Sequence, residues 1–413
     1  REYIMAIKAG QILTDGNGYT LDRLQSAGLN NLNIPEEKIY ELGNYQTVAT
    51  VRDIPDLSFD LESTDVSIEP EALFLGVDPS AVSDGDELDF LSAMPMDVIS
   101  PFKEEKGLFN TIRGVALPYL TLESVTYRFG LRSSATQSYT LRGDSIYYIP
   151  GTPYYEEFNV SGTGYTLSET ALPYNESNDT IYVLGVCLKN PTTGRYKRLF
   201  YGSDYTDTST VLTLAETPSG SYTKVHVVYG TAATITYPQV GINPNGHTVH
   251  EGVGVKPAAV RGKDLEVWVS DGAATPSMVQ WGGVQSFEVT RRVNLENDEE
   301  FGNYHFVSSD YDTAEVSGNI VIKPFDTEDL FDRIQQVANV ASNEIVSAFT
   351  SVALPVELRI KNPDGGDVLK TLYIPDARFQ VPAIQGRVQQ KLQVTFNFNS
   401  DSGELLVYKG DRP

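Results

Sequence analysis

The residue types able to do chemistry gather at a few places in this 413-residue chain. His247, His250 and Glu251 read H-x-x-H-E, and two histidines three apart on a helix could share a metal ion. Here Asn243, Pro244, Gly246, Gly252 and Gly254 surround them and break any helix, so a solvated loop is expected instead. Asp84, Asp86, Glu87 and Asp89 form an acidic knot that could meet calcium. It lacks the spacing and the terminal bidentate Glu of an EF-hand loop, so it too reads as a solvated loop, with a weak cation site as the second reading. The four histidines (226, 247, 250 and 305) accompany no G-x-S-x-G elbow, and no G-x-x-x-x-G-K-[ST] loop is present to cradle phosphate. Arg142-Gly143-Asp144 reads as a strand end and its turn rather than an adhesion tripeptide. Cys187, the one cysteine, lies in an apolar run and reads as a small buried hydrophobe. Three sequons, at Asn159, Asn175 and Asn178, read as chance in a Ser/Thr/Asn-rich chain. Carboxylates are abundant, but sequence alone cannot pair them as a glycosidase does. The expectation is no enzyme, no cofactor and no metal.

Composition narrows the classes further. With 40% hydrophobic and 21% charged residues the chain can build real cores. The abundance of Tyr, Thr, Val and Gly favours strands and turns over helices. No apolar run approaches the ~20 residues needed to span a bilayer. The first residues lack the apolar core of a secretory signal, and Met5 is a candidate initiator. The formal net charge of −24 argues against gripping nucleic acid, which needs Lys and Arg on phosphate. It fits equally a wall past which DNA slides or plain solubility.

The elements that would hold such residues are mostly strands. Val125, Tyr127, Phe129 and Leu131 alternate with polar neighbours, as do Val356, Leu358 and Ile360. Asn362-Pro363-Asp364-Gly365-Gly366 supplies the tight reversal between Val356–Lys361 and the returning strand 368–374. Strands are also expected from Leu392 to Phe398 and from Leu405 to Tyr408. One helix is clear. Asp326 or Thr327 caps it, and Leu330, Phe331, Ile334, Val337 and Ala338 form its apolar stripe. A shorter helix is expected at Pro70 to Phe74. In the middle, 181–188 and 196–201 read as a hairpin about Asn190-Pro191-Thr192-Thr193-Gly194, with further strands at 225–229 and 233–237. Together these predict a small β-sandwich.

Part of the chain recurs. Gln25-Ser26, Glu41, Gly43, Asn44, Tyr45 and Asp53 reappear as Gln285-Ser286, Glu300, Gly302, Asn303, Tyr304 and Asp312, always 259 or 260 positions later. A Gly-Asn turn is commonplace; recurrence at constant offset is what carries weight. The chain therefore divides into 1–149, an inserted 150–262 and a second copy at 263–413, with turn-rich Gly151-Thr152-Pro153 and Asn243-Pro244-Asn245-Gly246 bracketing the insert.

A segment reading x-Q-S, strand, E-[LF]-G-N-Y, strand and acidic loop resembles the tail tube domain of tailed bacteriophages. Leu57-Ser58-Phe59-Asp60-Leu61-Glu62 continues the first copy as such domains do, and Asp326 to Ala338 resembles their single helix. The resemblance implies a mainly β chain with two tail-tube-like β-sandwich domains, each with one helix, plus the inserted small β-sandwich. It implies a structural virion protein of the phage tail whose rings stack into a tube that delivers DNA. Three chains would make a pseudo-sixfold ring, with six chains as the alternative. Sheath, tape measure and baseplate proteins would be its partners, and DNA would pass without specific binding. Asp53, Asp56, Asp60, Glu62 and Asp65 form an acidic loop that would line the channel or reach the next ring. Two other readings stand beside this one: a baseplate hub or distal tail protein with two tube domains, and a carbohydrate-binding or adhesive protein stacking sugars on Tyr148, Tyr154, Tyr155, Tyr165 and Tyr174.

Overall fold

The structure is a computed structural model; it describes residues 7–9, 13–14, 19–20, 24–40, 47–52, 54–64, 66–74, 81–89, 96–104, 112–176, 179–189, 196–218, 220–232, 260–273, 277–299, 305–306, 308–341, 344–347, 352–363, 366–382 and 392–413. The first part of the chain contributes β1 (Ile7–Ala9), β2 (Leu13–Thr14), β3 (Tyr19–Thr20), β4 (Leu24–Asn33), β5 (Glu36–Tyr40), β6 (Thr47–Arg52) and β7 (Asp56–Ser63). Helix α1 (Glu69–Phe74) follows, then β8 (Glu87–Asp89), β9 (Met96–Glu104), β10 (Ile112–Gly130), β11 (Thr136–Gly143) and β12 (Tyr147–Ile149). The middle holds β13 (Thr152–Asn159), β14 (Gly164–Thr166), β15 (Tyr174–Glu176), β16 (Asp179–Ile181), β17 (Val183–Lys189), β18 (Tyr196–Leu199), β19 (Tyr205–Asp207), β20 (Val211–Leu214) and β21 (Lys224–Thr231). The last part adds β22 (Leu265–Ser270), β23 (Met278–Trp281), β24 (Val284–Asp298), β25 (Ser308–Ile322), helix α2 (Thr327–Ala338), β26 (Ala353–Lys361), β27 (Val368–Phe379), β28 (Val394–Ser400) and β29 (Leu406–Lys409). The chain is mainly β, and the pairing between its named strands is antiparallel throughout.

Strand order is the same in the first and last parts. One sheet runs β4-β7-β11-β10-β9 and the other β24-β25-β28-β27-β26. β12 adds to β10 as β29 adds to β27. Irregularities recur as well. The β4–β7 register shifts between Leu24 and Ser26, and β24–β25 shifts between Val284 and Ser286. Pro118 in β10 and Pro375 in β27 each fall where the pairing to β9 or β26 breaks, because proline offers no N–H to a ladder.

These two parts are not separate bodies. Residues 124–130 of β10 pair with residues 286–292 of β24, so the two sheets continue into one another. β29 pairs β8 as a second seam. Leu57, Phe59, Tyr127 and Leu141 share one apolar core with Phe287, Ile320, Phe396 and Val407. Burial of this apolar area is the main term holding the parts together. A buried polar cluster crosses the seam. Glu71 of α1 accepts from Lys370 Nζ at 2.6 Å and from the Tyr127 hydroxyl at 2.8 Å. Burial first, then the Glu71 charge, push the Tyr127 phenol well above its ordinary value, so it remains a donor.

Helix α2 forms as its sequence requires. Asp326 caps it by accepting from Asp329 N at 2.8 Å, and it ends on Asn339 with φ of 50°. Its buried side chains are Leu330, Ile334, Val337 and Ala338 together with Arg333, whose guanidinium lies 5.3 Å from the Trp281 ring. Phe331, expected in the stripe, is 55% exposed: one position on from Leu330 it is turned about 100° around the helix, away from the face that buries Leu330, Arg333, Ile334 and Val337.

The inserted region is a small sandwich, with sheets β13-β21-β17-β18 and β14-β20-β19 closing on Val183, Val186, Leu212, Val225, Val227 and Tyr229. Thr152-Pro153, read above as a linker, instead open β13 and pair with β21. Gly151 is required there, because a Cβ would meet the Thr231 carbonyl. The expected strand at 233–237 and the turn at 243–246 lie outside the described residues.

Candidate assembly interface

Strand alternation sorts the acidic residues of β7. Leu57, Phe59 and Leu61 are buried, whereas Asp56, Ser58, Asp60 and Glu62 share the opposite, half-buried face. Asp56, Asp60 and Glu62 therefore stand on a strand and not in an acidic loop; Asp53 and Asp65 lie outside the described residues. Counting acids along the chain missed the period of two that places them.

Register carries this face across seven strands. One row reads Gly28, Asp60, Thr140, Ser124, Arg292, Glu315; the next reads Ser26, Glu62, Ser138, Thr126, Thr290, Ser317, Asn399. Thr140 donates to Asp60 at 2.9 Å, and Thr126 meets Thr290 hydroxyl to hydroxyl at 2.9 Å across the seam. Arg128 pairs with Glu288 at 3.1 Å, and Glu123 takes both Arg142 at 3.0 Å and Arg292 at 3.2 Å. Three arginines are thus paired within the sheet by two carboxylates, and Asp56, Asp60, Glu62 and Glu315 more than offset the remaining positive charge and leave the face acidic. Such a surface is polar and rich in hydroxyls, and its net negative charge repels phosphate.

Of the repeat positions, Gln25 and Ser26 are exposed on β4, where Ser26 Oγ donates to Glu62 at 3.4 Å. Gln285 and Ser286 are half-buried on β24: the Gln285 carbonyl accepts from Leu131 N at 2.8 Å, and Ser286 pairs Gly130. Equivalent strands thus differ in one respect. The outer edge of β24 is covered by β10, whereas β4 pairs β7 alone among the described residues. Glu41, Gly43, Asn44, Tyr45, Glu300, Gly302, Asn303 and Tyr304 lie outside the described residues.

Just past the second motif, the chain closes a junction of three regions. Asp144, in the turn after β11, is 3% exposed. It accepts from Arg198 Nη1 at 2.6 Å and from Phe306 N at 2.8 Å, and its other oxygen accepts from Ser145 Oγ at 2.6 Å. Ser145 Oγ lies 3.1 Å from His305 Nδ1, and Arg198 also donates to the Phe306 carbonyl at 3.2 Å. Burial alone would raise the Asp144 carboxyl; the hydrogen bond to His305 and the Arg198 charge outweigh it and hold the group well below the usual range. Serine, histidine and aspartate meet here, but Ser145 Oγ and Asp144 face the same imidazole nitrogen, Nδ1, whereas a nucleophile triad needs the imidazole to bridge them through its two nitrogens. The arrangement is a clamp. Arg198 completes it by lying 4.2 Å from the Tyr119 ring, and Tyr119, at φ of 60°, donates its hydroxyl to the Val186 carbonyl of the inserted sandwich. Sequence reading missed this junction except as a strand end at Asp144.

Other sequence candidates resolve differently. His247, His250 and Glu251 lie outside the described residues. In the acidic knot, Glu87–Asp89 form β8, and Glu87 accepts from the Tyr408 hydroxyl at 2.7 Å, so this part is a strand and not a loop. No cluster of metal-binding residues occurs among the described residues. Cys187 is buried. Tyr165 belongs to the sandwich core, Tyr154 packs on Tyr229 and Tyr174 on Tyr147, while Tyr148 is 72% exposed; the side chain of Tyr155 lies outside the described ones. No described helix is long and apolar enough to cross a membrane.

No protein-family model matches the chain, and no curated protein does either. Among solved structures, a chain of the anti-feeding prophage (AFP) baseplate, determined by cryo-EM and 6-fold symmetrised, matches at 11% identity over 35% of this chain and 92% of that one, with a TM-score of 0.26. A likeness this slight leaves the argument with the geometry above.

Proposed function

We propose that the chain is the repeating subunit of a phage tail tube: a structural virion protein of the tail, without catalytic role or resident cofactor, whose stacked rings pass DNA to the host. The observation that carries this reading is the polar face running unbroken over seven strands of both halves, beside a β4 edge that no described strand but β7 pairs, where the equivalent β24 edge is covered. The common strand order supports a duplicated unit. The β10–β24 seam then serves as an internal template for the contact between chains, with the β4 edge taking a strand of the next copy. Two units per chain give six units in a ring of three chains. The polar rows would line the channel, where paired arginines and surplus carboxylates let DNA slide without sticking. The anchors of the inserted sandwich, Tyr119 and Asp144, are not members of those rows, so that domain is left free to project from the tube. Sheath, tape measure and baseplate proteins are the expected neighbours.

Electron microscopy of the purified protein on concentration tests this. Stacked rings with a central channel and three chains per ring are expected. Six chains per ring would overturn the stoichiometry, single rings that never stack would favour a baseplate hub, and dispersed monomers at high concentration would overturn the assembly reading.

A further inference from the structure

Each half of the chain carries a hairpin that reaches beyond its sheet, and among the described residues one of them is seated on another part of the chain while the other pairs only within itself. The second hairpin, at the far end of β24 and β25, brings His305 and Phe306 onto the Asp144–Ser145 turn of the first half. The first hairpin, β5–β6, forms a two-stranded sheet by itself, and every residue of β5 is exposed, with Ile39 at 43% and Tyr40 at 62%. An isolated two-stranded ribbon is marginal in water and gains stability from a third surface.

The register identifies the matching seat. β11 corresponds to β28, since each is flanked by the equivalent strand (β7 or β25), and Gly143 opposite Leu57 corresponds to Ser400. The turn Asp144-Ser145 therefore corresponds to Asp401-Ser402. Both turns present a carboxylate already gripped by an arginine: Asp144 by Arg198, and Asp401 by Arg378 at 2.9 and 3.1 Å from Nε. The two differ in cover. The Asp144 side chain is 1% exposed under the docked hairpin, whereas that of Asp401 is 44% exposed.

We propose that the β5–β6 hairpin of one chain docks on the Asp401–Ser402 turn of a second copy, the backbone N–H of Thr47 donating to Asp401 as that of Phe306 donates to Asp144. Thr47 stands 259 positions before Phe306, the offset of the repeat. Arg378 supplies the guanidinium that Arg198 supplies within the chain. The inference rests on the reading that copies join head to tail, and it adds a contact distinct from the β4 edge.

The test is a double variant, Thr47→Cys with Ser402→Cys, in the full chain under mild oxidation. Cys187 is buried and takes no part. A disulfide demands Cα atoms within about 7 Å, so it reports docking directly. On a non-reducing gel most chains are expected to shift to covalent oligomers ending at the closed ring, while each single variant runs as a monomer. Rings or tubes seen by microscopy without cross-linking would overturn this inference and leave the tube reading standing. A disulfide formed within one chain would also overturn it. Absence of any assembly would sink both.

Discussion

The two hairpin arms began from like sequence and ended in different states. β24 and β25 each remain one strand and pair out to Asp298 and Ser308 across a register shift between Val293 and Leu295, and no proline interrupts 284–322. In the first half the ladder stops: Ile34-Pro35 separates β4 from β5, and Ile54-Pro55 separates β6 from β7, so the ribbon becomes a sheet of its own. Ala314 stands where the first copy has Pro55. A residue without an N–H cannot continue a ladder, so two prolines turn an extension of the sheet into a hinged arm. The second arm is also held at its tip by a carboxylate, an arginine and a histidine drawn from three regions. Local chemistry decides whether an arm is hinged, and a distant seat decides whether it is docked.

The largest effect is expected from unseating the docked arm. Asp144→Ala would leave Arg198 buried without its partner and cost about 3–5 kcal/mol of unfolding free energy in urea titration. Asp144→Asn, which still accepts from Phe306 N, would cost less; equal losses would mean that the arm's backbone bond contributes nothing. Acid should separate the clamp from the sandwich it holds. Burial lowers the His226 imidazole to about 4, against the hydrogen bond with Glu157 that would raise it. The unfolded chain takes up that proton near pH 6.5, so the sandwich keeps its full stability above this value and loses on the order of 3 kcal/mol as pH falls toward 4. Asp144, held below the usual range, contributes above that range and loses its contribution only at lower pH, as the solution passes through its folded value. Thermal melts at pH 7, 5.5 and 4 should fall for the parent and flatten for His226→Gln; parallel curves would refute the assignment.

Converting one arm into the other comes next. Ala314→Pro should break the Val293–Ala314 pairing and destabilise by about 1–3 kcal/mol, with faster amide exchange in β24 and β25 beyond that point. The reverse change, Pro55→Ala, should raise exchange protection in β6 while shifting global stability by no more than about 1 kcal/mol, since the freed unfolded chain opposes the gain. Unchanged protection would mean that the prolines are not what detaches the arm. The smallest effect on the single chain belongs to Arg378→Ala. Its ion pair with Asp401 is open to solvent, so the melting temperature of the monomer should not move, while the cross-link between Thr47→Cys and Ser402→Cys should weaken.

Much of the architecture was legible locally. The alternation at Val125 to Phe129 and at Val356 to Ile360 and the Asp326 cap each act over a few residues, and each formed as the pattern required. Leu131, expected to continue the first strand, lies past its end and is 42% exposed. The strands flanking the Asn362–Gly366 reversal pair with one another. The recurrence of Gln25-Ser26 at Gln285-Ser286 pointed to like strands, and these share an irregularity of register. The acidic row was misread because charge was counted along the chain, whereas β7 places alternate residues on opposite faces. Phe331 adjoins the stripe by helical period, but the buried face runs through Leu330, Arg333, Ile334 and Val337 instead.

By itself, then, the sequence determined strand and turn chemistry, the capped helix, the acidic balance and the presence of two like segments, because these follow from periodicity and composition within short windows. The tertiary structure alone decided that residues 124–130 seal against 286–292, that the edge of β24 is covered while β4 pairs β7 alone among the described residues, and that Asp144, Arg198 and His305 meet. Those contacts join residues 54 to about 160 positions apart, and their pairing is set by the packing of a shared core and the exclusion of water from a buried carboxylate, which no short window of sequence contains.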